Sequence, residues 1–164
     1  MIQTSPDQKA HKMKLVIGHG RKIIALAAAL FLSIGLCALA IQQAAATEAQ
    51  LDKAIQGGQA LFVHETFEGN GMTCQSCHVN GGVGLGKLPN GTAIPSLSNA
   101  ATIFPRFNPR ANKVVTLEDQ LRNCIAGALQ GKPPAYGSEQ LTQLVSYIAS
   151  LAQGKPLDMG GKPQ

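Results

Sequence analysis

Cys74-Gln75-Ser76-Cys77-His78 is the stretch on which the reading of this 164-residue chain turns. It has the form C-x-x-C-H, the attachment site of a c-type haem. Two thiols two residues apart each add to one vinyl group of the same porphyrin. The histidine directly after them sits under the iron as an axial ligand. One haem c, held by Cys74, Cys77 and His78, makes the chain a redox protein before anything else is known of it.

Two other chemistries use C-x-x-C. Zinc needs four ligands, usually with a second Cys or His pair. Beyond residue 46 the remaining candidates are Cys124 and His64, which are not paired. A thioredoxin-like redox pair needs a βαβ setting. The run before Cys74, Glu68-Gly69-Asn70-Gly71, reads as loop.

Residues 1–46 read as an export signal. Lys9, Lys12, Lys14, Arg21 and Lys22 form a positive start, an uncharged apolar run follows from Ile23 to Ile41, and Ala44-Ala45-Ala46 offers A-x-A cleavage positions. Met13 is an alternative start, and Cys37, preceded by Leu36, reads as a leader residue without a role. Export places the haem in the periplasm of a bacterium, where such haems are attached. The 19-residue run 23–41 is also near the length of a membrane span. The A-x-A match favours cleavage after Ala46, with an uncleaved inner-membrane anchor as the alternative.

The leader holds five of the 14 basic and one of the 9 acidic residues. Residues 47–164 keep 9 and 8, so the high pI of about 9.2 belongs largely to the leader. No basic patch points to nucleic acid. The 118 residues 47–164 fit one small domain with one haem, whose buried porphyrin supplements a limited core.

Apolar spacing predicts an all-α domain of three main helices. The first spans about Glu48 to His64, with Leu51, Ile55, Gly58, Leu61 and Phe62 at helical spacing. Gly57-Gly58 weakens a helix and suits a close crossing by another. The second runs from about Leu117 to Leu129, capped by Thr116, with Glu118 and Asp119 at the positive end of its dipole. The third runs from about Glu139 to Ala152 behind Ser138, with Leu141, Leu144, Val145, Ile148 and Leu151 as its stripe. Between Val79 and Val115 the chain is rich in Gly, Pro and Asn and shows no alternating strand pattern. A loop this long suits wrapping a porphyrin.

This order resembles the cytochrome c fold, in which a Gly and an aromatic on the first helix meet an aromatic on the last. Gly58, Phe62 and Tyr147 match those places.

The second axial ligand decides what the haem does. Met72 stands too near Cys74 to reach the other face, and Met159 lies in a Gly- and Pro-rich tail expected to be mobile. His64 ends the first helix and reads as an ordinary surface or satisfied histidine. Cys124 is the one cysteine left over in residues 47–164, on the apolar face of the second helix. By spacing alone it is either an iron ligand or a buried small hydrophobe.

Phe104-Pro105-Arg106-Phe107, Arg110-Ala111-Asn112-Lys113, Thr116-Leu117-Glu118-Asp119-Gln120-Leu121, Cys124 and Gly131-Lys132 together resemble the haem domain of thiosulfate dehydrogenases. They are also similar to the Sox-type cytochromes of sulfur oxidation. The likeness covers about residues 55–156. It implies that Cys124 ligates the iron opposite His78, at a site for sulfur compounds. Those enzymes generally carry arginine at the position of Gln120 and serine at that of Ala128, and usually a second haem domain. Arg110, Lys113 and Lys132 remain here as cations for an anionic substrate.

Three functions follow as expectations. The first is a monohaem c-type cytochrome passing electrons to other periplasmic redox proteins. The second is a thiosulfate dehydrogenase-like oxidoreductase, with Cys124, Arg110 and Lys132 as catalytic residues toward thiosulfate or related sulfur anions. The third is a haem subunit of a larger redox complex. Contact with a membrane is expected only if the leader stays on.

Overall fold

The computed structural model describes residues 46–88 and 90–164; the leader, including the apolar run 23–41, lies outside the described residues. A compact unit spans Ala49–Gln164. It is mostly helical. Among the described residues four α-helices appear: α1 over 46–64, the short α2 Ala100–Ile103, α3 Leu117–Gly127 and α4 Glu139–Leu151. Among the described residues no helix is long and apolar enough to cross a membrane.

The long helices begin where their caps predict. Thr116 accepts the Asp119 amide at 3.2 Å, and the Asp119 carboxylate accepts the Thr116 amide at 3.0 Å, a reciprocal box that satisfies two otherwise orphaned donors. At the head of α4 the Ser138 hydroxyl accepts the Leu141 amide at 3.3 Å, a single cap.

α1 crosses α4 at the paired glycines. Gly58 packs against the backbone of Gln143 and the Cβ of Tyr147, so no side chain fits there. One turn on, the Phe62 and Tyr147 rings meet with centroids 5.4 Å apart and planes tilted by 57°. Leu144, Ile148, Ile125, Leu129, Phe67 and Ala100 complete the core around this pair. Each of the Leu, Ile and Phe side chains, moved out of water, contributes roughly 1.5–3 kcal/mol.

The segment 79–115 departs from the featureless loop expected of it. Two short antiparallel hairpins stand in it. β1 Gly86–Lys87 pairs with β2 Ala93–Ile94, and β3 Arg106–Asn108 pairs with β4 Lys113–Val115, with Phe107 opposite Val114. Strands of two or three residues are too short to show an alternation. Gly86 lets the first hairpin lie directly on the Cys77 carbonyl, where a Cβ would collide.

The tail also departs from expectation, because it is docked and not free. The Asp158 and Gly160 amides donate to the carbonyls of Thr102 and Ile103 at 2.9 Å each. The buried Asn99 side chain donates to the Lys162 carbonyl at 2.9 Å and accepts the Gln164 amide at 3.2 Å. Main-chain bonds of this kind leave no pattern of side chains for a sequence reading to find.

Candidate haem site

The motif folds as a tight turn. The Cys77 and His78 amides both donate to the Cys74 carbonyl, at 3.3 and 3.0 Å, and the Thr73 amide donates to Ser76 Oγ at 3.0 Å. The closing hairpin and a bond from Tyr147 Oη to the Gly81 carbonyl at 2.8 Å hold the following loop against this turn. One cavity of about 550 Å³ opens there, walled by Cys74, Cys77 and His78 from the turn. Phe62, Leu97, Ile103, Val115, Leu121 and Ile148 supply much of its apolar lining, and Cys124 reaches it from α3.

The site residues respond to this apolar setting. Burial pushes the Cys74 thiol up to about 11, with the nearby Cys124 and Cys77 thiols adding to it. Burial also raises Cys124; the side-chain amide of Gln120, whose Nε2 stands 3.2 Å from Cys124 Sγ, works against that rise. Burial lowers His78, opposed by the Pro95 carbonyl. His78 Nδ1 is buried without a partner of good hydrogen-bond geometry.

These features fit a covalent haem. The cavity suits a flat apolar macrocycle, both attachment thiols border it, and the neutral imidazole is the form that binds a metal. A ring that gives one nitrogen to iron and turns the other toward a carbonyl is the usual arrangement of a ligating histidine. Cys74, Cys77 and His78 would hold the group, with Cys124 the sulfur available from the rest of the cavity wall.

The structure brings together Cys74, Cys77, His78, Cys124 and Arg110. It does not bring Lys132 to them. That side chain is 78% exposed, with its ammonium 3.9 Å from the Glu68 carboxylate, and it is absent from the cavity wall. It follows the end of α3 by five residues, and the chain there turns back onto Phe67, whose carbonyl accepts the Lys132 amide at 2.7 Å. Met159 is 65% exposed and, like His64 and Met72, does not border the cavity. Among the bordering residues given no site role by the sequence reading are Arg106, Pro163 and Gln120, the last as a partner of Cys124. The signal for Gln120 was present, since it precedes Cys124 by four residues on one helix face.

A helical domain that crosses its first and last helices at Gly58 and wraps a C-x-x-C-H cavity is a c-type cytochrome, with covalently bound haem c and its iron. More narrowly, the chain belongs to the family of the SoxA/TsdA cytochrome c domain, whose model matches residues 57–157. It is 33% identical over 92 residues to a thiosulfate dehydrogenase of Thiomonas intermedia, covering 56% of this chain and 27% of that one. It is 30% identical over 105 residues to the L-cysteine S-thiosulfotransferase subunit SoxA of Chlorobaculum tepidum, covering 64% and 30%. The solved thiosulfate dehydrogenase (TsdBA) of Marichromatium purpuratum shares the fold, with a TM-score of 0.53 and 24% identity over 67% of this chain and 24% of that one. The chain thus spans about a quarter to a third of the curated relatives it matches.

Proposed function

We propose that this chain is an exported, monohaem electron-transfer cytochrome of sulfur-compound oxidation, with Cys124 as the iron ligand opposite His78. One observation carries the reading. Of the described residues bordering the cavity, Cys124 is the one sulfur or imidazole side chain outside the attachment motif. Bound there, haem c supplies a one-electron ferric/ferrous couple. Cys74 and Cys77 fix the group to the chain, His78 and Cys124 orient it, and the apolar wall keeps bulk water from it.

A thiolate donates negative charge to iron and so favours the ferric state. A redox titration is therefore expected to give a midpoint well below that of His/Met-ligated cytochromes. A strongly positive midpoint contradicts Cys124 ligation. The physiological partners in this reading are other periplasmic redox proteins, and residues 1–46 serve export. Mass spectrometry of the purified protein from its native host distinguishes a start at Thr47 from a retained anchor over 23–41.

A second reading is favoured by Arg106 and Arg110, which border the same cavity as Cys124. Two arginines lining one cavity with a sulfur side chain suit a small sulfur anion such as thiosulfate. In this reading the chain is a thiosulfate dehydrogenase-like oxidoreductase, Arg110 and Arg106 hold the anion, and Cys124 is the group it meets. The test is thiosulfate-dependent reduction of an artificial acceptor by haem-loaded protein. Absence of turnover removes this reading and leaves the electron carrier. A haem subunit of a larger redox complex is a third reading, which co-purification with a second redox protein would reveal.

A further inference from the structure

We infer that the side-chain amide of Gln120 is a positioning group that withdraws charge from the Cys124 sulfur and so raises the reduction potential of the iron. The inference rests on Cys124 being the iron ligand.

The geometry comes from the helix. Gln120 and Cys124 are four residues apart on α3 and share a face. Side chains on a helix lean toward its N-terminus, so Cys124 leans toward Gln120 and the longer residue reaches back over it. Gln120 Nε2 stands 3.2 Å from Cys124 Sγ, within range of an N–H···S hydrogen bond. Among the described residues the Gln120 side chain has no other hydrogen-bond partner. Both residues border the cavity, most of whose lining is apolar. The Thr116 cap and the Gln120 amide's bond to the Thr116 carbonyl at 3.1 Å hold the backbone from which Gln120 projects.

The direction of the effect follows from charge. Adding one electron to the iron leaves more negative charge on the sulfur, and no atom is transferred. A donor aimed at that sulfur is held more strongly in the ferrous state than in the ferric one. The amide therefore offsets part of the ferric preference that a thiolate imposes. Hydrogen bonds to ligating sulfur are among the means by which a protein sets a metal's potential. Gln120 touches neither substrate nor iron; it acts through Cys124.

The test uses haem-loaded Gln120→Leu, close in size and lacking the donor, and Gln120→Glu, equal in length with an acceptor in its place. Gln120→Leu is expected to shift the ferric/ferrous equilibrium about tenfold toward ferric, a fall of about 59 mV for one electron. The Fe–S stretching band in resonance Raman is expected to move to higher frequency. Gln120→Glu is expected to lower the midpoint further, and it alone decides the matter if the leucine variant does not load haem. Midpoints and Fe–S bands equal to the parent's overturn the inference. Cys124→Ala, measured alongside, separates the two claims. An unchanged low-spin ferric spectrum in that variant overturns the ligand assignment and this inference with it. A changed spectrum with unmoved Gln120 variants overturns the role of Gln120 alone.

Discussion

Gly58 lies against the backbone of Gln143, so close that a methyl group at 58 would run into the Gln143 carbonyl and stand 2.7 Å from the Cβ of Tyr147. The crossing of α1 and α4 depends on this absence of a side chain, and the crossing places Phe62 on the wall of the haem cavity. Gly58→Ala is expected to destabilise the holoprotein by about 3 kcal/mol, the upper part of the usual range for overpacking. Gly57→Ala meets only the mobile end of the Gln143 side chain and should cost far less. Guanidinium unfolding of both variants, followed by the haem absorption, checks the contrast; equal losses would contradict it.

The last residues of the tail are held in part by one buried side chain. Asn99 spends its amide on Lys162 and Gln164, and Pro163 between them borders the cavity. Asn99→Leu leaves those main-chain groups without their partner, at a cost of about 1–3 kcal/mol. Hydrogen exchange should quicken at Gln164, whose amide Asn99 accepts, while the α4 amides keep their protection. Unchanged exchange at Gln164 would show that the tail is held by other bonds.

The α3 cap gives the protein an acid-sensitive element. The Thr116 amide and the Tyr136 hydroxyl both donate to the Asp119 carboxylate, with Lys113 nearby, and they hold its pKa below the ordinary carboxylate range. A lowered folded-state pKa means stabilisation that is full above the ordinary value of about 4 and is lost as pH falls through the lowered one. The parent should exceed Asp119→Asn in stability at pH 7, and the gap should close below about pH 4. Urea unfolding at the two pH values checks this; a gap that widens in acid would contradict it.

What was legible in the sequence is what local chemistry encodes. Thr116 and Ser138 announce helix starts by their side-chain oxygens, and the apolar stripe of α4 repeats often enough to show its period. Gly57-Gly58 marked the crossing because glycine in a helix needs a reason. Cys74, Cys77 and His78 are adjacent, so their joint chemistry needs no fold to assemble it. The two hairpins and the docked tail were illegible, since strands of two or three residues have no pattern and main-chain bonds have no residue signature. Arg106 and Lys132 are equally basic in sequence. Only the turn of the β3–β4 hairpin and the return of the chain onto Phe67 decide which one borders the cavity.

The central claim is that Cys124 binds the iron, and the low-temperature EPR and absorption spectra of ferric Cys124→Ala beside the parent test it most directly. The account predicts that the parent's low-spin ferric signal is replaced in the variant by a high-spin signal or by that of a different ligand. A low-spin signal identical to the parent's would contradict it and leave Cys124 a core residue.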